Sequence, residues 1–221
     1  MVKSFCFNQM ENASLVHLIL KCENKETRIP MQKTEQGFKA DIELVKGIYQ
    51  YKFLVNNIMR FNDPQALEYA KDNRGEVWSI LNLSADSEDS VDKRHELMLE
   101  DYALSNCETV GKLRGQRTFS YPKDKIVCMS VDMSVGAGLH SITVIWYRGD
   151  GRIYCGQEIS IEKARTQITT RQNFKIRLDN KRIRWGIWKV ELYFDGKKVI
   201  SDYFSLNNKS TINRCAINIQ L

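Results

Sequence analysis

Three histidines, six cysteines and 27 acidic side chains are the groups from which this chain could build a reaction centre. Glycoside cleavage needs two carboxyls at a set separation. Asp41 and Glu43 stand two apart in an alternating run and so share one strand face. The pair reads as two charges on a solvated strand face rather than as such a site. His17 sits between Val16 and Leu18 in a strand, His95 falls in a helical stretch and His140 precedes a strand. None stands at metal-ligand spacing from a cysteine, and Cys6, Cys22, Cys107, Cys128, Cys155 and Cys215 form no CxxC pair. No GxSxG elbow, phosphate-cradling loop or dinucleotide fingerprint occurs, and Gly136-Ala137-Gly138 is only a small turn. The expectation is a protein that is not an enzyme, with no metal and no cofactor.

Charge adds one further possibility. Residues 122–221 carry 17 Lys+Arg against 9 Asp+Glu, while residues 1–84 are nearly balanced and residues 85–121 are acidic. A basic half could attract polyanions. Its cations, among them Arg148, Arg152, Arg165, Arg171, Lys175, Arg177, Lys181, Arg182, Arg184 and Lys189, are spread over several strands without a nucleic-acid-binding motif. Nucleic acid is therefore not an expected partner. No apolar run is long enough to cross a membrane, and the first residues lack the apolar core of a secretory signal. Scattered cysteines without such a signal read as free thiols, so a soluble, cytoplasmic protein with no membrane partner is expected.

The elements that position these groups are mostly strands. Phe38-Ala40-Ile42-Leu44 and Tyr49-Tyr51-Phe53-Val55 alternate with polar residues around Gly47, and predict a half-buried antiparallel hairpin over 37–56. Residues 84–90 are acidic and serine-rich, as in a linker. Residues 92–104 predict one helix, capped by Asp92, with Met98 and Tyr102 four apart and Leu97 and Leu104 seven apart. From Lys125 the alternation resumes. Val127-Met129-Val131-Met133, Ile142-Val144-Trp146, Phe174-Ile176-Leu178 and Trp188-Val190-Leu192-Phe194 are the inward stripes, with turns at Arg148–Gly151 and Asp195-Gly196. Trp185 and Trp188 are an odd step apart and should face opposite ways, Trp188 inward and Trp185 partly exposed. A last strand is expected over 211–221. The fold class is all-β: two antiparallel immunoglobulin-like β-sandwich domains, 1–84 and 122–221, joined by a linker, one helix and a loop over 85–121.

Pro30-Met31, Gly37-Phe38, Gly47, Tyr49, Gln50-Tyr51-Lys52-Phe53, Val55-Asn56, Asp63-Pro64 and Gly75 together resemble the glycogen-binding module of the AMP-activated kinase β subunit. The same family supplies the N-terminal sandwich of isoamylases and glycogen-branching enzymes, and the resemblance spans roughly residues 14–84. It implies an α-glucan site in which two tryptophans stack on sugar rings, helped by a lysine, an asparagine and an apolar side chain. Lys52 matches the lysine. Met59 lies nearest the slot of the second tryptophan, and Trp78 stands where the asparagine is expected. The loop of the first tryptophan reads Glu23-Asn24-Lys25-Glu26. In family members that are enzymes, catalysis belongs to a separate barrel, for which this chain has no room. Residues 186–196 resemble the penultimate hairpin of bacterial immunoglobulin-like domains.

Two readings follow. The first is a non-catalytic interaction protein, binding a protein partner or itself, whose sugar-stacking tryptophans are not kept. Its apolar patch would involve Trp78, Met59, Phe61 or Tyr69. The second is an α-glucan-binding protein with a relocated aromatic platform, using Lys52, Met59 and Trp78, or else Trp185 and Tyr193.

Overall fold

The computed structural model describes residues 1–22, 25–83, 96–107, 111–163, 169–178 and 183–208. Among them the chain is all-β, with no helix. The N-terminal half contributes β1 (Val2–Phe7), β2 (Val16–Cys22), β3 (Lys25–Pro30), β4 (Gln32–Thr34) and β5 (Gly37–Glu43), then β6 (Ile48–Val55), β7 (Met59–Phe61), β8 (Glu68–Lys71) and β9 (Val77–Asn82). The C-terminal half contributes β10 (Leu97–Ser105), β11 (Thr118–Tyr121), β12 (Ile126–Val135) and β13 (Gly138–Tyr147), then β14 (Ile153–Lys163), β15 (Thr170–Arg177), β16 (Gly186–Phe194) and β17 (Lys197–Asn208).

In the N-terminal half a small sheet, β1-β5-β4, faces a larger one, β3-β2-β6-β9-β8, to which β7 adds beside β6. Phe5, Phe7, Phe38 and Ala40 from the small sheet close on Val16, Leu18, Tyr51, Phe53 and Val55 from the large one. The alternating runs at 38–44 and 49–55 are therefore both strands, but not the expected hairpin. β5 pairs with β1 and β4, while β6 pairs with β2, β7 and β9. The chain crosses from one sheet to the other at 44–47, and the two apolar stripes meet face to face across the core. A period of two fixes which face is buried; it does not say whether the next strand lies beside it or opposite.

The C-terminal half is a second pair of sheets, β10-β12-β15 and β11-β17-β16-β13-β14. Val127, Met129, Val131, Met133, Ile142, Val144, Trp146, Trp188, Val190 and Leu192 fill the space between them, as the stripes predict. Trp188 is buried and Trp185 is 41% exposed, again as expected. The turns at Arg148–Gly151 and Asp195-Gly196 connect antiparallel pairs, β13 with β14 and β16 with β17.

The expected helix is corrected over the residues that are described. Residues 97–105 form β10, paired antiparallel with β12. Leu97 and Leu99 oppose Val135 and Met133, then the register shifts, and Tyr102 and Leu104 oppose Val131 and Met129. The extra residue at this bulge moves the inward positions from odd to even numbers. It thereby puts Leu97 and Leu104, seven apart, on one face as a helix would, whereas Met98, four before Tyr102, points outward and is exposed. Residues 92–95, the linker at 84–90 and the strand expected over 211–221 lie outside the described residues.

Candidate functional site

β13 shows why the two halves touch. Its inward residues Ile142, Val144 and Trp146 belong to the C-terminal core, and its outward residues Ile145 and Tyr147 belong to the N-terminal core cluster, with Tyr193 of β16. Phe61, on the short strand β7, meets Tyr193 edge to face with ring centroids 5.0 Å apart. Buried aromatic pairs of this geometry add about 0.5–1.5 kcal/mol to the burial itself.

Two glycines give the halves room. A Cβ on Gly156 of β14 would lie 2.1 Å from Met59 Sδ. A Cβ on Gly196, in the turn after β16, would lie 2.0 Å from the Asn62 carbonyl oxygen and 3.1 Å from Pro64 Cδ. Gly196 also has φ +81°, a left-handed conformation that glycine adopts without a Cβ penalty. Polar groups close the seam. Asn62 Nδ2 donates to Ser141 Oγ at 3.0 Å, and the Tyr69 hydroxyl donates to the Asp63 carbonyl at 2.7 Å and the Asp195 carbonyl at 3.3 Å.

Lys52 stands on β6 opposite Ile19, on the outer face of the larger sheet, yet it is 0% exposed. Its ammonium lies 3.0 Å from Glu158 Oε2 of β14 and 3.1 Å from Glu76 Oε1. Asn62 Nδ2 also approaches Glu158 Oε1, at 3.4 Å. Burial pushes the Glu158 carboxyl upward, and the charge and hydrogen bonds of Lys52 oppose that shift. Arg60 completes the network, 3.5 Å from Glu76 and 3.1 Å from Glu26. An ammonium taken fully out of water needs such partners, because an uncompensated buried charge is costly.

Trp78 lies beside Lys52 and is 1% exposed, which corrects the expectation of an exposed ring. Three cations surround it: Lys21 Nζ, Arg60 Cζ and Lys52 Nζ lie 5.3, 5.6 and 5.9 Å from the ring centroid. Its Nε1 donates to Asp72 Oδ2 at 3.2 Å. Partial burial of Asp72 is outweighed by N–H donors from Arg74, Glu76 and Trp78, and its carboxyl stands below the ordinary range. The indole is thus a buried platform for the protein's own cations. Met59 opposes Val55, packs against the N-terminal core and points toward Gly156, away from Lys52 and Trp78. Of the three candidate side chains, the structure brings Lys52 and Trp78 together and leaves Met59 on the other face. Phe61 and Tyr193 are also buried, and Tyr69 is half-buried, so no exposed apolar patch forms from these residues. Among the described residues of the C-terminal half, the exposed large apolar side chains are Met98 and Leu99 on β10, and Trp185, Ile187 and Tyr203, the last two 58% exposed.

His140 Nδ1 lies 2.8 Å from Asp195 Oδ2, and its Nε2 lies 3.2 Å from the Gly136 carbonyl, so the ring has an acceptor on each side. Burial pushes the Cys155 thiol up to about 11, which keeps it protonated and weakly nucleophilic at neutral pH. No cluster of three or more metal-ligating side chains occurs among the described residues. Among the described residues no helix is long and apolar enough to cross a membrane.

Sequence reasoning missed Glu158, Asn62, Gly156 and Gly196. One signal was present: a glycine inside a strand often marks close approach of another segment, and Gly156 is such a residue.

Comparison with known families matches residues 6–89 to the family described as the glycogen recognition site of AMP-activated protein kinase. That span runs from the end of β1 through β9. A search of curated proteins finds no match. Among solved structures, an alkylpurine DNA glycosylase from Pseudomonas fluorescens, bound to DNA with an abasic site analogue, is similar over 51% of this chain at 12% identity, with a TM-score of 0.35. The chain spans 31% of the length of that glycosylase. An immunoglobulin-like protein from Pseudomonas aeruginosa is similar over 52% of this chain and 99% of its own, at 9% identity and a TM-score of 0.33. The BSP domain of a biofilm-associated protein is similar over 95% of this chain and 28% of its own, at 12% identity and a TM-score of 0.26.

Proposed function

We propose that this chain is a non-catalytic interaction protein, built on a glycogen-binding-module-like fold whose sugar-holding face is engaged within the molecule. Its parts are a sandwich over 1–84 and a second, immunoglobulin-like sandwich in which β10 and β11, from the expected connecting segment 85–121, join the strands that follow residue 122. The observation that carries this reading is the position of Lys52: 0% exposed and paired with Glu158 from the other half at 3.0 Å. A lysine enclosed in this way has no donor to offer a glucose hydroxyl, and Trp78 has no free ring face on which a sugar could stack. The protein's binding would use its remaining surface. The exposed Ile187 and Tyr203, which lie on one face of β16 and β17 beside Lys189, fit a protein partner or a second copy of the chain.

The family match to residues 6–89 favours a second reading, α-glucan binding, which requires the halves to part or another surface to carry the sugar. Affinity electrophoresis through gels with and without glycogen separates the two. Unchanged mobility is expected; retardation that Trp78→Ala abolishes without loss of fold would establish the glycan reading instead.

A further inference from the structure

A cleft of about 560 Å³ opens where the two halves meet beside the turn from β13 to β14. Met10, Asn12, Asn56 and Ile58 form one wall, and residues from the turn over 147–153 form the other. Both walls are fixed before anything binds. Asn56 Oδ1 accepts from Ser14 N at 2.9 Å, Ser14 Oγ at 3.0 Å and Leu15 N at 3.1 Å, and Asn56 Nδ2 reaches the Asn12 carbonyl at 3.4 Å. These bonds tie the segment after β1 to the turn between β6 and β7. Opposite, Arg148 N donates to the Arg152 carbonyl and Gly151 N to the Arg148 carbonyl, each at 2.9 Å. Gly149 brings this turn so close to β16 that a Cβ would lie 2.6 Å from the Ile187 carbonyl oxygen. Preformed walls at a boundary between two units are where small-ligand sites concentrate, and their usual volume is about 300–1,000 Å³.

The lining has an apolar part and a charged part. Met10 and Tyr147 are buried and Ile153 is half-buried, while Ile58 is 58% exposed. Arg148, Asp150 and Arg152 supply charges of both signs. Asp150 Oδ1 accepts from Arg152 N at 3.1 Å and stands 3.6 Å from Arg148 Nε, an ion pair too long to be a hydrogen bond. Arg148 Nε is buried with no hydrogen-bond partner among the described residues. The Arg152 N–H, and then the charges of Arg148, Arg152 and Arg184, hold the Asp150 carboxyl below the ordinary range, so it stands ionised at neutral pH. This mixture disfavours two classes of ligand. A polyanion would meet the Asp150 carboxylate beside the arginines. A glycan would find no aromatic face, because Tyr147 is 4% exposed with Lys189 over its ring, and the other apolar groups are not aromatic.

We propose that this cleft binds a zwitterionic apolar amino acid or short peptide, its carboxylate on Arg148 and Arg152, its ammonium on Asp150 and its side chains against Met10, Ile58 and Ile153. A guanidinium fork matches a carboxylate in bidentate geometry, and the ligand gives Arg148 Nε an acceptor. The ammonium balances Asp150 at the same time, so no charge is left without a partner in the complex. Apolar side chains of the ligand cover Ile58, which water otherwise surrounds. Free amino acids and peptides share this chemistry and differ in the distance between their charged ends. The inference goes beyond the interaction role proposed above and does not depend on the Lys52 face.

The test is calorimetric titration of the full chain at neutral pH with leucine, with leucyl-leucine, and with each of them blocked at its amine or at its carboxyl. Leucine or the dipeptide should bind, the tighter of the two fixing the length of the ligand. Blocking either charged end of the tighter binder should weaken it about tenfold, as loss of a charge-assisted hydrogen bond does. Arg152→Gln and Ile58→Ser should each weaken it by about the same factor. Both side chains are exposed, so both variants keep the fold. Lys197→Gln, outside the lining, should leave binding unchanged. Absence of binding by both unblocked probes, equal binding of blocked and unblocked forms, or wild-type affinity in either Arg152→Gln or Ile58→Ser would each overturn the proposal.

Discussion

Gly196→Ala isolates the contact between the halves from the strain of the backbone that makes it. Gly151 and Gly196 both occupy left-handed turn positions, at φ +77° and +81°. A methyl group on Gly151 meets nothing within 4 Å, whereas one on Gly196 would lie 2.0 Å from a backbone oxygen at Asn62. The left-handed conformation costs an alanine about 1 kcal/mol at either site. At Gly196 the overlap with backbone adds the cost of overpacking, about 1–3 kcal/mol, because neither turn can rotate away as a side chain would. For a chain of this size each kcal/mol lowers Tm by about 2–4 °C. Gly151→Ala should therefore melt about 3 °C below the parent, and Gly196→Ala about 9 °C below it. Scanning calorimetry of the three proteins at one scan rate measures both. Equal losses in the two variants would mean that the Asp195-Gly196 turn does not press on Asn62, and the account of the seam would fail with it.

Two further outcomes follow from the buried polar groups. Burial alone would raise the Glu191 carboxyl, but hydrogen bonds from Lys189, Tyr147 and Tyr193 and the charge of Lys189 outweigh it, leaving its pKa below the ordinary 4.5. A carboxylate with a lowered folded pKa contributes stability above its unfolded value and loses it as pH falls through the folded one. Tm should therefore drop as pH falls below about 4.5, and that drop should be shallower in Glu191→Gln; an identical slope in both would remove Glu191 from the account. Trp78→Ala should cost about 3–5 kcal/mol in urea unfolding, the range for deleting a buried aromatic side chain. A loss below about 1 kcal/mol would show an indole held at the surface.

Much of the C-terminal core could be read from the sequence, because its stripes keep an unbroken period of two over Val127–Met133 and Trp188–Phe194. Trp185 and Trp188 sorted correctly for the same reason. β10 was hidden by a single extra residue between Leu99 and Asp101, which changed the period locally. The runs at 38–44 and 49–55 were recognisable as strands but not assignable to sheets, since face-to-face packing and side-by-side pairing use the same pattern. The site was legible only in part. Lys52 and Trp78 do sit together, as the family resemblance implies, but the Lys52 ammonium is held by Glu158, 106 residues further along the chain. A charged residue in an edge strand gives no sign of the ammonium it will meet. Met59 looked equivalent to them in sequence, and the pairing of β7 with β6 turned it toward the other face.

The account rests on Lys52 being held by Glu158 across the seam. A double-mutant cycle with Lys52→Met, Glu158→Gln and the double variant, read by urea unfolding, measures that link directly. A coupling energy of about 1–3 kcal/mol is expected for a pair in contact that is largely removed from water. Additive losses, with coupling below about 0.3 kcal/mol, would mean that the two halves do not share this ion pair in solution. The Lys52–Trp78 face would then be open to an outside ligand.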